Sequence, residues 1–503
     1  MATESVFQNI GTVKENENML TFQLVDTNVA YANTLRRMIL TGVESVAFRS
    51  DMNEKGDTSD VSITENTTPM TNEMLADRIG LIPIHADPDT WKKDDYYFEL
   101  KVQNNEETTL AVTAADFVVR RRGVVRKRTS MKGGADGNNG NNNNEDEDLE
   151  NEEGNNFGNN ADGNNDFGVV ETTLDQDEFR EPDVAEGNKK FFHPNPLTGE
   201  TALIALLKAK QPNQEGQKIH LVAVASKGTG RDHIRFSPVC QCSYGYTIDT
   251  DETRQQEQFE KWVKTYKNKK PSELKEAKTA DGKSLEEVLK REFNTMEIQR
   301  CYKANPATGE PNSFDFVVES IGVQEVEKIV ERALVNIQAK CLKYAAIDRE
   351  DVETVRIQPA DARMKGFDFI FQKEDHTLGN LFQTYMDETM MGKDISFVGY
   401  KIPHPLRDEM VLRVGVDFDR QPEIDGKETT ARAAVAKAAT ACATMFGNWL
   451  NQWKRAITGQ RIQRNLASLR PTAAVAKQQE QVTNLAQQMN QRQQGGKRSA
   501  IKA

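Results

Sequence analysis

One arrangement of elements is written twice in this 503-residue chain, and no other feature limits the fold as much. Near the start, the alternation of "MLTFQLV" (19–25) predicts a strand. A helix follows, opening near Thr27 or Asn28, either of which can cap it, and then a strand in "ESVAFRSD". From residue 367 the order returns: strand "FDFIF", helix "EDHTLGNLFQTYMDE", then strands "ISFVGYKIPHP" and "MVLRVGVD". Both first helices carry a small residue followed by Asn, as Ala32–Asn33 and as Gly379–Asn380. Each copy also has a long amphipathic helix, at 324–345 and about 430–455. Val326, Ile329, Val330, Ala333, Leu334, Ile337, Cys341 and Tyr344 mark the first; Val435, Ala439, Cys442, Met445, Phe446, Trp449 and Trp453 mark the second.

A two-layer α+β unit must cover the outer faces of its helices. Two such units in one chain do so most economically by packing helix on helix, as a pseudo-symmetric dimer. Leu378, Leu381, Phe382 and Tyr385 lie at i, i+3, i+4 and i+7 and so form a packing stripe. The expected fold is therefore α+β, with two related units paired within one polypeptide. Leu35, Ile39, Val326, Ile329, Val330, Leu378, Leu381, Phe382, Tyr385, Phe446 and Trp449 are the expected pairing residues.

Against that expectation, "ANTLRRMIL" (32–40) is odd, because it places two arginines in an otherwise apolar helix. On a helical wheel Ala32, Leu35, Ile39 and Val43 share one side, Asn33, Arg37 and Leu40 the other, and Arg36 lies between. The polar side is either solvated or docked on a carboxylate- or carbonyl-bearing partner, for which guanidinium forks are suited.

Charge divides the chain unevenly. The net charge is −12, with a pI near 5.3, which argues against a general nucleic-acid-coating protein. Residues 133–168 hold ten Asp/Glu and no Lys/Arg among many Asn and Gly, a composition expected to be disordered. The adjoining basic cluster "RRRGVVRKR" reads as the electrostatic partner of that run, or else as a nucleic-acid patch. Residues 251–300 read as charged helices, with Phe259, Trp262, Val263 and Tyr266 on one stripe and a Ser284/Glu287 capping box. "NPLTGE" (195–200) and "NPATGE" (305–310) are similar turn formers. No apolar run approaches the roughly 18 residues of a membrane span. The N-terminus lacks a secretory layout, and five scattered cysteines fit a reducing compartment, so an intracellular protein is expected.

Six segments in order then resemble a known family. "VDTNVAYANTLRRMIL", "LADRIGLIPI", "KGTGRDHIRFSPV" and "FVVESIG" resemble the third subunit of eukaryotic RNA polymerase II and its archaeal D counterpart. "KEDHTLGNLF" and "FVGYKIPHPL" resemble the eleventh subunit and its archaeal L counterpart, and both families are related to the bacterial alpha subunit. The likeness covers most of 15–350 and 360–455, with both partners in one chain, as in polymerases of large cytoplasmic DNA viruses. It implies alpha-subunit-like dimerisation domains at 1–50 plus 225–350 and at 351–465. It further implies a β-rich inserted domain at 51–224 carrying the acidic loop 132–168, and a Gln-rich, largely disordered tail at 466–503. The implied role is a non-catalytic assembly platform of a DNA-directed RNA polymerase. The implied partners are the largest and second-largest subunits and small subunits, with DNA contacted only through the complex and no membrane. Asn33, Arg36, Arg37, Arg78, Gly80, Leu81 and Pro83 are the implied partner-facing residues. Host cytoplasm (a viral factory), nucleus or virion is the implied location.

Many third-subunit relatives hold zinc or iron–sulfur on a cysteine cluster in the inserted domain. This chain has no cysteine before Cys240. Cys240 and Cys242 are expected on one strand face as core thiols, so no metal and no cofactor are expected. Catalytic signatures are missing too. The Asp375–His376 pair of "EDHT" reads as a helix cap, and His233 as a structural histidine. "KGTGRDH" lacks the Lys–Ser/Thr ending of a phosphate loop, and no polymerase-type acid triad occurs. The competing reading is a free-standing nucleic-acid-binding regulator using 120–128 and the basic tail. No constellation supports an independent enzyme.

Overall fold

The computed structural model describes residues 5–13, 16–50, 60–93, 95–122, 179–180, 184–196, 198–270, 284–360, 366–416 and 424–469. The acidic run, the basic cluster from 123 onward and the tail from 470 lie outside the described residues.

Strands β1 (Phe7–Val13) and β2 (Asn16–Val25) form a hairpin, followed by α1 (Val29–Thr41) and β3 (Glu44–Ala47). Asn28 is the cap of α1, its side-chain oxygen accepting the Ala30 N–H at 2.6 Å. An inserted segment comes next: β4 (Val61–Asn66), α2 (Asn72–Gly80), β5 (Tyr96–Gln103), β6 (Leu110–Thr113), β7 (Phe117–Arg122) and β8 (Phe179–Arg180). It ends with α3 (Val184–Phe191), β9 (Leu203–Leu207) and β10 (Lys218–Ala223). The chain then gives β11 (Ser226–Thr229), β12 (Val239–Tyr246), α4 (Glu252–Tyr266), α5 (Leu285–Glu292), β13 (Ser313–Ser320) and α6 (Val326–Leu342). The later copy is β14 (Val355–Pro359), β15 (Gly366–Gln372), α7 (His376–Met390), β16 (Phe397–Lys401), β17 (Glu409–Gly415) and α8 (Ile424–Leu469). Among the described residues, no helix is long and apolar enough to cross a membrane.

The two copies share one topology. The early sheet runs β1-β2-β13-β12 and the late one β14-β15-β17-β16, both antiparallel throughout. In each, one helix follows the second strand and another follows the last strand. The counterpart of β16 is thus β12, not β3, which the sequence offered as the third strand of the early copy. β3 instead pairs with β11, Ala47 opposite Ser226 and Glu44 opposite Thr229, so this short ladder brackets the inserted segment.

One apolar core runs through both copies. Alternation on β2 sends Leu20, Phe22 and Leu24 inward, opposite Val318, Phe316 and Phe314 of β13. The Phe22 and Phe316 rings stack with centroids 4.9 Å apart. From the late copy, Phe369, Leu412, Phe382 and Phe446 enter the same core, fully buried. Each such side chain contributes about 1.5–3 kcal/mol through burial. Helix α8 buries the small residues Ala431, Ala434, Ala438 and Ala439, and it packs on α6, where Gly447 abuts the Gln338 side chain.

Residues 49–77 and 92–225 form a second compact unit. Its five-stranded sheet, β4-β10-β5-β7-β8, surrounds Phe98, Phe117, Phe191 and Phe192. Residues 78–91 group with the first unit, whereas the sequence reading assigned all of 51–224 to the insert.

Between β12 and β13, helices α4 and α5 enclose a small core of Phe259, Trp262, Val263, Leu289, Phe293 and Cys301. Tyr266 does not join it: in the last turn of α4 its ring lies under the Arg300 guanidinium, 4.9 Å away, and it is exposed. Ser284 occupies the cap of α5, but its side chain makes no cap hydrogen bond, so the expected capping box is not formed. The charge pair Lys290–Glu286, 2.9 Å, supports that helix instead. In "NPLTGE" and "NPATGE" the glycines, Gly199 and Gly309, both have positive φ (71° and 73°), and each glycine N–H bonds to the carbonyl of the leading Asn.

Candidate assembly interfaces

Helix α1 of the early copy lies against its counterpart α7 in opposite sense, and polar side chains close the contact at both ends. At one end Asp375 caps α7, its Oδ1 accepting the Thr377 N–H at 2.8 Å. Arg37 of α1 donates through Nη2 to Asp375 Oδ2 at 3.2 Å and through Nε to the Thr377 hydroxyl at 2.7 Å. Burial pushes the Asp375 carboxyl up, but the Thr377 hydroxyl and N–H, with Arg37 and Arg231 beside it, hold it below the usual carboxylate range. At the other end Glu388 accepts from Asn28, the cap of α1, at 2.6 Å and from the Tyr31 hydroxyl at 2.9 Å. Burial, and then Glu388, raise the Tyr31 phenol. Each helix cap thus reaches across to the other helix.

More polar links line this seam. Arg231 donates to the Lys373 carbonyl at 2.8 Å and to Asp408 at 2.6 Å. Its loop can come this close because Gly230 abuts the end of α1, where an added Cβ would lie 2.4 Å from the Leu40 carbonyl oxygen. Glu374, buried, receives Lys340 at 2.8 Å and the Tyr344 hydroxyl at 2.9 Å. Between α6 and α8, the Trp453 indole N–H donates to the Glu327 carbonyl at 3.1 Å. At the chain's beginning, the Val6 N–H donates to Gln452 at 2.8 Å, and the Phe7 ring packs edge-on against Trp449 and Trp453.

The three residues expected to form one ridge on α1 are separated. Arg37 turns into the seam, whereas Arg36 donates twice to Asn33 Oδ1, at 3.0 and 2.9 Å. Asn33 and Arg36 line a cleft with Tyr244, Tyr246, Ile248 and Met296, the last 75% exposed. The difference is geometric: successive residues on a helix point about 100° apart, so Arg36 and Arg37 cannot serve the same surface.

Arg78, Gly80, Leu81 and Pro83 follow one another at the end of α2. Ile82 and Ile84 anchor the loop inside, Pro83 is half-buried, and Arg78 and Leu81 are exposed, Leu81 by 60%. Gly80 is required here, since a Cβ would lie 2.5 Å from Arg235 Nη1 and 3.0 Å from the Phe48 carbonyl oxygen. Arg235 is buried and donates to that Phe48 carbonyl at 3.1 Å and to His233 Nδ1 at 2.9 Å. His233 caps the next turn, from which Ile234 is 67% exposed.

Leu35, Ile39, Val326, Ile329, Val330, Leu378, Leu381, Phe382, Phe446 and Trp449 are buried in the shared core, and Tyr385 packs against it half-buried. Cys242 is also there, its thiol pushed up to about 12 by burial. Cys240 is exposed, contrary to its expected place beside Cys242. A bulge between Val239 and Gln241 leaves Cys240 outside the β12–β13 register, so positions two apart no longer share a face. Among the described residues, no three His, Cys, Asp or Glu side chains gather as metal ligands. Sequence reasoning missed Arg231, Glu374, Lys340 and Glu388. Their partners are 30 or more positions away, and no local pattern marks them.

Residues 21–341 match the family described as the RNA polymerase Rpb3/Rpb11 dimerisation domain, and residues 367–452 match the same description again. The DNA-directed RNA polymerases I and III subunit RPAC1 of Mus musculus is 27% identical over 353 residues, 67% of this chain and 83% of that protein. Its Homo sapiens counterpart is 38% identical over 79 residues, 16% of this chain and 20% of that protein. The DNA-directed RNA polymerase subunit Rpo3 of Methanopyrus kandleri is 36% identical over 74 residues, 15% of this chain and 23% of that protein. The human and archaeal matches therefore span about a quarter or less of those relatives' lengths.

Proposed function

The chain belongs to the RNA polymerase Rpb3/Rpb11 dimerisation-domain family, and from that membership we propose that it is a non-catalytic assembly subunit of a DNA-directed RNA polymerase. One polypeptide supplies both members of an alpha-like pair, and the pair is the platform for the two largest, catalytic subunits. The observation that carries this reading is the repeated sheet order, with its two copies sharing one core and clasped at Arg37–Asp375 and Asn28–Glu388.

Two surfaces are the proposed docking sites for the larger partners and the small subunits. One is the exposed loop of Arg78 and Leu81, held rigid through Gly80 and Pro83, with Ile234 on the adjacent turn. The other is the cleft of Asn33 and Arg36. Exposed apolar side chains on a fixed backbone, beside an arginine, suit the anchors of a protein interface. Arg37 is assigned to the internal seam. The joining of both members in one chain favours a large DNA virus as the source, with assembly in a cytoplasmic viral factory or the nucleus and carriage in the virion.

The test is purification of the tagged full-length chain from its native source, followed by mass measurement of the intact complex. Two much larger polypeptides at equal amounts are expected. Recovery of the chain alone, under conditions that keep complexes intact, would overturn the reading.

A further inference from the structure

Strand β12 is an edge of the early sheet, and among the described residues no other strand pairs with its far side. After the bulge at its start, Gln241–Tyr246 run in unbroken register with β13. The Thr247 N–H donates to the Ser313 carbonyl at 3.0 Å, so alternation turns the N–H and C=O groups of Tyr246, Tyr244 and Cys242 away from β13. Edges of this kind are ordinarily guarded by charge or proline. Val239–Tyr246 contains neither.

The late copy has the same edge closed. Its counterpart strand, β16, ends on exposed Lys401 and runs into Pro403. The Tyr400 N–H there donates to Gln383 Oε1, a side chain of α7, at 3.1 Å. Arg36 of α1 is the equivalent of Gln383: each stands eight positions past its helix cap, Asn28 or Asp375. A guanidinium has no acceptor atom, so Arg36 cannot close β12 as Gln383 closes β16. It bonds instead to the neutral Asn33, and to no carboxylate among the described residues.

The cleft of Asn33 and Arg36 follows this edge, for it is lined by every residue from Cys242 to Tyr246. Alternate strand residues point to opposite faces, so a cleft that meets consecutive ones lies along the edge rather than on one face. At Gly245, in the middle, an added Cβ would meet nothing within 4 Å, so no contact inside the chain calls for a glycine there. Glycine within a strand marks close approach of another backbone.

We propose that an extended segment of another polypeptide adds to the early sheet along Cys242–Tyr246, with a carboxylate of that segment on Arg36. Its main chain takes up the outward groups of Cys242, Tyr244 and Tyr246, and its apolar side chains lie against Ile248 and Met296, both exposed. The proposal rests on the assembly reading, which supplies the partner: one of the two larger subunits.

The test is hydrogen–deuterium exchange, resolved to single amides, on the full-length chain alone and within its purified native complex. The Tyr244 and Tyr246 amides should exchange fast in the chain alone and slow by at least about tenfold in the complex. Ser243 and Gly245, whose amides face β13, and Tyr400, closed by Gln383, should be equally slow in both. Arg36→Gln puts the late copy's residue on the early helix. It should lower recovery of the larger subunits while leaving the thermal midpoint of the isolated chain at the wild-type value. Recovery of both larger subunits with Tyr244 and Tyr246 still exchanging fast would overturn the strand addition and leave the assembly role standing. Recovery of the chain alone would remove both. Protection that the isolated chain gains on concentration would make a second copy the occupant, and would also overturn the proposal.

Discussion

Arg37 and Asp375 are joined by an ion pair of 3.2 Å although 338 positions separate them in the chain. Arg37 stands in the helix of the early copy, Asp375 at the cap of the equivalent helix in the late copy. The same carboxylate therefore starts a helix and fastens that helix to its counterpart. Its loss removes both functions, whereas loss of the arginine removes only the second.

Asp375→Ala is accordingly expected to cost more than Arg37→Ala. A cap contributes about 1 kcal/mol and a hydrogen bond to a charged group about 1.5–3 kcal/mol before solvent screening of this partly exposed pair. Urea unfolding of the two single variants and the double variant tests this. Additive effects would show that the pair is not coupled.

Acid should remove the contribution of Asp375. Its folded pKa lies below the unfolded value of about 3.9, so it stabilises fully above about pH 5 and progressively less as pH falls through the folded value. The stability difference between wild type and Asp375→Asn, measured by thermal melts, should narrow from about pH 6 to pH 3. A gap that widens on acidification contradicts the assigned sign.

Trp453→Ala leaves a cavity between the early and late copies and removes the indole's hydrogen bond to the Glu327 carbonyl, at an expected cost of about 3–5 kcal/mol. Calorimetry should still record one transition for the shared core. Two resolved transitions would mean that the copies fold separately.

Gly80→Ala and Leu81→Asp should part company. The first forces a methyl onto Arg235 and the Phe48 carbonyl and should destabilise by about 1–3 kcal/mol. The second changes an exposed side chain and should alter stability by less than about 0.5 kcal/mol while reducing recovery of the large subunits. Full recovery with Leu81→Asp would remove that loop from the proposed docking surface.

Thiol reagents should modify one cysteine in the folded chain and five after denaturation, because Cys240 is exposed and Cys242, Cys301, Cys341 and Cys442 are buried. Burial, with Glu319 nearby, raises the Cys240 thiol, so its reaction should be slow at neutral pH. Loss of the native reaction in Cys240→Ser identifies the site.

What sequence discloses here is periodicity. The stripes of α6, α7 and α8 follow helical spacing, so Val330, Phe382 and Phe446 could be named as core from their intervals alone. Relations between distant residues left no such trace. Arg37 and Arg36 look alike in sequence, and only the late copy, placed against α1, distinguishes them. The equivalence of β12 and β16 was hidden by the inserted segment, which put β3 next in line after α1. Cys240 was misplaced because one bulge residue shifts every inside–outside assignment next to it.

The connection from α6 to β14 is itself packed, with Tyr344 and Ile347 buried in it. Two separately encoded partners must find each other, and dilution would part them. A tethered pair keeps fixed stoichiometry at any concentration, and neither half is synthesised as an orphan with its greasy helices open to proteases.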